Sequence, residues 1–204
     1  MKKYLPVISC LLFFFAFEGC APTKATFNAT VNPEISREKI SNIAIMPFTG
    51  IEANKTNLGK IDTTVMNAFE KKKIKTKITG SYFASNKLDK SLITDWETFS
   101  NGYAHGKSAN VKLISQIGKD LKADGIVQGS VSNIIQHNAE YGAKFGDTKA
   151  TLTINLFSAA TGKLLWSATS QGTVGTLTTN DPAPPVINAV AAAVKEIFLN
   201  FPIK

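Results

Sequence analysis

Cysteine is nearly absent from this 204-residue chain: there are only Cys10 and Cys20, both within the first twenty residues. Everything after residue 20 is therefore without disulfide, thiolate metal site or thiol chemistry. Arginine is scarcer still. Of the 23 basic residues only Arg37 is arginine, the rest being lysine. Arginine is the usual fork for base edges and bidentate phosphate contacts, so its scarcity excludes sequence-specific nucleic-acid binding as an expectation. Charged residues make up 19% of the chain, and no apolar run reaches the length of a bilayer-spanning helix. What is present is 44% hydrophobic content and 13 Phe, enough for one domain with a sizeable core, and a net charge of +8.

Lys2 and Lys3 give a positive start, followed by the apolar run Leu5 to Phe17 and then Phe17-Glu18-Gly19-Cys20. A short apolar run ending at a small residue and a cysteine resembles the bacterial lipoprotein signal, in which the cysteine is acylated and becomes the mature N-terminus. Val7-Ile8-Ser9-Cys10 is an alternative, but it leaves only six residues ahead of it for the signal. An ordinary secretory signal with an incidental cysteine is the other alternative. The expectation is a signal peptide over residues 1–19, lipid on Cys20, a flexible tether over 20–40 and one αβ domain over 41–204. Two or three acyl chains hold a protein stably at a bilayer, whereas one does so only marginally. Ala21, not Asp, follows the cysteine. By the sorting tendency of such lipoproteins this implies the outer membrane, with the domain in the periplasm.

Ser41 to Phe48 is an apolar run of strand length, with Pro47 at its end because proline cannot donate to a ladder. Leu58, Ile61, Val65, Ala68 and Phe69 then fall on one helical stripe, closed by Lys71-Lys72-Lys73. Lys73 to Ser81 alternates as an edge strand, and Leu88 to Phe99 suggests a short helix. Ser108 is placed to cap a helix carrying Val111, Ile114, Ile117 and Leu121. Ile126 to Ser132, Ala150 to Phe157 and Leu164 to Ala168 read as strands, the last two joined by a turn at Ala160-Thr161-Gly162-Lys163. Gln136 to Thr148 reads as a linker. A final amphipathic helix carries Val186, Val190, Val194, Ile197 and Phe198. The predicted class is α+β: a mixed sheet of about five strands with helices packed on it, a late antiparallel meander and a C-terminal helix.

Three segments carry a resemblance: Ile43-Ala44-Ile45-Met46-Pro47-Phe48, then Ala123 to Val131, then Leu156 to Ser167 with its Thr161-Gly162-Lys163 turn running into Trp166. Together they resemble the periplasmic αβ domain of the curli-secretion lipoprotein family, a core shared with penicillin-binding-protein activator lipoproteins and the N-terminal domain of the TolB translocation protein. The resemblance implies a non-catalytic envelope protein that recruits, activates or assembles another envelope protein. An oligomeric curli-type secretion channel is the first alternative. A pore hairpin needs two strands of about 9–11 residues, and neither Gln136 to Lys149 nor Gly172 to Pro185 is long enough to supply one.

The second alternative is a cell-wall hydrolase, which requires a catalytic constellation. His105 and His137 stand alone, without metal-ligand spacing, so neither metal nor cofactor is expected. Gly129-Ser130-Val131-Ser132 lacks the second glycine of a nucleophile elbow, and Gly172-Thr173-Val174-Gly175 lacks the Lys-Ser/Thr of a phosphate loop. No pair of Asp62, Glu70, Asp120, Asp124 and Asp147 is placed for acid–base work. The expectation is therefore that the protein is not an enzyme. Its partners are expected to be the membrane through the anchor and another envelope protein, with homo-oligomerisation left open. The candidate partner surface combines Lys71, Lys72 and Lys73 with Trp96, Phe99 and Tyr103 from a segment without readable periodicity.

Overall fold

A computed structural model describes residues 23–36, 38–50, 55–72, 75–140 and 144–203. The expected signal peptide and Cys20 lie outside these residues, as do Arg37 and Lys73. Among the described residues the chain forms strands β1 (Thr23–Val31), β2 (Asn42–Ile45), β3 (Lys77–Thr79), β4 (Gly125–His137), β5 (Asp147–Ser158) and β6 (Leu164–Gly175). Helices are α1 (Lys55–Lys72), α2 (Ser81–Lys87), α3 (Lys90–Ala104), α4 (Val111–Leu121) and α5 (Val186–Leu199). The strands make one mixed sheet in the order β1-β6-β5-β4-β2-β3, parallel where β2 meets β3 and β4 and antiparallel elsewhere. This is the α+β class predicted, late meander and C-terminal helix included.

The helices divide unequally between the two faces. On one, α1 and α5 bury Ile61, Val65, Phe69, Val190, Val194 and Ile197 against Val127, Leu152, Ile154 and Leu156, a core running the length of the sheet. Gly172 lets α5 come close, since a Cβ there would stand 1.9 Å from the Ala189 carbonyl oxygen. On the other face, α2, α3 and α4 cover only Ala44, Met46, Ile126 and Phe157, at the start of β4 and the end of β5.

Several expectations are corrected. Residues 23–31, within the expected tether, are β1, paired along its whole length with β6 from Thr23↔Val174 to Val31↔Trp166. Phe27 and Ala29 of that strand pack on the core under α5. The short alternation Ala25, Phe27, Ala29 against polar neighbours was too weak to see among Pro, Thr and Asn. The sheet thus has six strands, and it begins at Thr23, not after residue 40. The short helix expected over Leu88 to Phe99 is α3, which runs longer, and α2 is an additional helix before it, parted from α3 where Leu88 and Asp89 are extended. The cap of α4 is Asn110, whose side chain accepts from the Leu113 N–H at 3.1 Å, not Ser108. The linker expected from Gln136 is shorter, because β4 runs on to His137 and β5 begins at Asp147.

Candidate functional site

Where α2–α4 stop, the sheet is left open on one side. Strand geometry puts alternate residues on that side, and the register groups them. Ser130, Thr153, Thr169 and Asn28 form one row across β4, β5, β6 and β1, and Ser132, Thr151, Gln171 and Thr26 form the next. Lys149, Thr173 and Lys24 follow outward, and Asn155, Ser167 and Thr30 inward. The opposite side of the same strands carries Ala150, Leu152, Ile154 and Ala168, all buried. The open side is thus a hydroxyl- and amide-rich plane, with Thr153 and Thr169 hydroxyls 3.0 Å apart and the Gln171 amide donating to Thr151 Oγ1 at 3.4 Å.

At its inner margin this plane passes under the end of α3. Asn155 Nδ2 donates to Gln128 Oε1 at 2.7 Å, and Gln128 Nε2 donates to Ser100 Oγ at 2.8 Å. Ser100 Oγ lies 3.1 Å from Thr49 Oγ1. Gln128 and Ser100 are fully buried, so this chain of hydrogen bonds satisfies amides that would otherwise be costly to bury. Just outside it a cleft of about 540 Å³ is lined by Tyr103, His105, Lys107, Ser130, Ser132 and Asn155. His105 Nδ1 is already engaged, 2.7 Å from the Asn101 carbonyl oxygen.

The outer end of the plane is a charged and apolar tip. His137 Nδ1 meets Asp147 Oδ1 at 2.6 Å and Lys149 Nζ meets Asp147 Oδ2 at 3.3 Å. The His137 hydrogen bond foremost, and Lys149 beside it, hold the Asp147 carboxyl below the usual carboxylate range. The register of β4 and β5 brings His137 and Asp147 together, a pairing that ten residues of separation did not suggest. Deeper in the molecule, burial raises Asp62 although its oxygens accept from Ser81 Oγ at 2.8 Å and the Phe48 N–H at 3.2 Å. These two bonds tie the end of the first core strand and the start of α2 to α1, a structural use of the carboxylate. Among the described residues no three of His, Cys, Asp and Glu are grouped to hold a metal ion.

The sequence-predicted partner surface is not brought together. Trp96 is 0% exposed, its indole N–H donating to the Pro47 carbonyl at 3.3 Å, and Phe99 is buried. Tyr103 packs edge-on against the Phe157 ring at 5.2 Å. The helical spacing of these three aromatics along α3 turns them inward onto α4 and the sheet; Trp96 and Phe99 are core and the half-buried Tyr103 packs on it at the cleft wall, so the three make no docking face. Lys71 is exposed, but Lys72 spends its ammonium on the last turn of α5, donating to the Phe198 carbonyl at 2.9 Å. Lys73 and the lipidation site Cys20 lie outside the described residues. What the sequence reading missed was the open plane, although its signal was legible as the Thr/Ser/Gln positions alternating with Leu, Ile and Ala in β5 and β6. Among the described residues no helix is long and apolar enough to cross a membrane.

No protein family and no curated protein matches the chain by sequence. Solved structures similar in chain course include a PelC dodecamer from Paraburkholderia phytofirmans, with a TM-score of 0.49, 14% identity and coverage of 85% of this chain and 94% of that one. Lipoprotein GNA1162 from Neisseria meningitidis gives a TM-score of 0.43 and 14% identity over 79% of this chain and 99% of that one. The LpoB C-terminal domain from Escherichia coli gives 0.39 and 14% over 68% and 92%. Likenesses of this degree establish neither kinship nor function.

Proposed function

We propose that this protein is a non-catalytic envelope lipoprotein, held at the periplasmic side of the outer membrane by lipid on Cys20, which recruits, activates or helps assemble another envelope protein. The observation that carries the reading is the arrangement Lys2-Lys3, apolar run, Gly19-Cys20, with ordered sheet starting at Thr23 directly after it. A domain so close to its anchor works beside the bilayer, where surface recognition matters more than turnover. In place of the buried aromatics, the working surface is the open polar plane of β5, β6 and β1. A large polar face, rich in hydroxyls and amides with lysines only towards its outer end, suits a wet, hydrogen-bonded protein contact better than an obligate apolar one.

Two readouts test this. A clickable fatty acid supplied to cells making the protein labels the wild type and not Cys20→Ser. A photocrosslinking side chain at Thr169, on the open plane, captures a defined envelope protein, whereas the same probe at Thr63 on α1 does not. Absence of label, or identical adducts at both positions, overturns the reading.

A further inference from the structure

The open plane ends at the outer ends of β5 and β6, and the register sets the position of the residues just beyond them. Thr23, the first residue of β1, pairs with Val174, and Val174 pairs with Thr148. Moving outward from that row, Thr176 N–H donates to the Gly146 carbonyl at 2.9 Å, and Gly146 N–H donates to Thr176 Oγ1 at 2.9 Å. The next residue on each side of this tie is a large apolar one, Phe145 (59% exposed) and Leu177 (54% exposed). Both lie three residues outward from the Thr23 row, Phe145 from Thr148 and Leu177 from Val174. Cys20 is likewise three residues outward of Thr23 in the chain.

Three residues of chain span at most ~10 Å, and β5 is two strand spacings, roughly 10 Å, from β1. A lipid on Cys20 is therefore confined to the neighbourhood of the Phe145–Leu177 tip. We infer that this tip lies in the interfacial layer of the same bilayer that holds the anchor, with Phe145 and Leu177 reaching the acyl chains. The inference rests on the acylation of Cys20 proposed above. Solvent exposure of two such side chains at the foot of a membrane-held domain is then removed by lipid, and the exposed Lys144 beside them faces the headgroup level.

The exposed aromatic pair of α2 cannot be the contact. Tyr82 and Phe83 of α2 are 73% and 71% exposed, but α2 departs from β3 at the far edge of the sheet. Thr79 there lies level with Phe157 through Ala44 and Ile126. That is nine residues down β5 from Thr148, roughly 30 Å along the strands, and five strand spacings from β1. A three-residue leash does not bring it to the membrane.

The native tryptophans, Trp96 and Trp166, are both buried, so brominated chains leave their emission in place and an added surface indole is read as the difference from the parent protein. Acylated full-length mature protein is reconstituted into phosphatidylcholine vesicles with either ordinary or brominated acyl chains. The emission that Phe145→Trp or Leu177→Trp adds to that of the parent protein is expected to fall at least about twofold in the brominated vesicles, and that added by Tyr82→Trp to stay unchanged. A spin label on Lys144→Cys, the one free thiol in an acylated mature chain, gives a second measure through its contact with lipid-dissolved oxygen. Intact mass is taken on the same samples. Lipid present with no quenching at 145 or 177 and a water-exposed label at 144 overturns this inference alone. A mass without lipid on Cys20 overturns the functional reading and the inference with it.

Discussion

Strands β4 and β5 each cross from one kind of environment into another, and their two halves obey different rules. Gly125 to Gly129 is buried throughout, as is Ile154 to Ser158 on the strand beside it, because helices cover both faces there. Further along, β5 alternates buried and half-buried from Asp147 to Thr153, and β4 becomes mostly exposed beyond Val131. A sheet covered on both faces demands a continuous apolar run, whereas one covered on a single face demands only alternation. The same two strands thus supply a rigid covered half and a polar working half, joined by the Asn155–Gln128–Ser100–Thr49 chain of hydrogen bonds at the border.

The contrast can be broken most forcefully in the covered half. Trp96→Ala should cost about 3–5 kcal/mol in urea unfolding, the cost of removing a fully buried aromatic. A loss below 1 kcal/mol with impaired partner capture would instead return Trp96 to the surface. At the border, Gln128→Leu strands the polar groups of Asn155 and Ser100 and should cost about 1–3 kcal/mol.

Two carboxylates sharpen the comparison by titrating in opposite directions. Asp62 is raised by burial, so the folded state holds a proton that the unfolded chain has released. Stability therefore falls as pH climbs from 3.8 through the raised folded value and is level above it. Asp147 is lowered, chiefly by His137, so its contribution is present above pH 3.8 and lost as pH falls through the depressed folded value. Unfolding measured across acid pH should show wild type gaining on Asp62→Asn and losing to Asp147→Asn as the pH is lowered. Equal signs for the two would contradict the assignment of one to the interior and the other to the open tip. The smallest effect belongs to the plane itself: Thr169→Val should change stability by no more than about 0.5 kcal/mol while altering partner capture.

The covered half was legible in the sequence and the working half was not, for physical reasons. Ile43 to Phe48, the stripe Ile61, Val65 and Phe69, and the final helix all announce themselves because burial of large aliphatic residues sets their period. β1 did not, since an edge strand with one buried side needs only Phe27 and Ala29, and its other positions are the Thr and Asn residues that also make loops. Trp96, Phe99 and Tyr103 are misplaced because the expected helix stops at Phe99 and carries no clear apolar stripe, so its inward face, which includes Tyr103, is not legible and three nearby aromatics look like a patch. The pairing of His137 with Asp147, and the level row Thr23, Val174, Thr148, depend on strand register, which no local pattern reports. Cys20 is the reverse case: wholly a sequence feature, and outside the described residues.

The most direct test of an anchored domain is the mature N-terminus of the protein extracted from its native envelope. Mass spectrometry is expected to find a chain beginning at Cys20 and carrying at least two acyl chains. A chain that keeps residues 1–19, or one whose N-terminus bears no lipid, would contradict it.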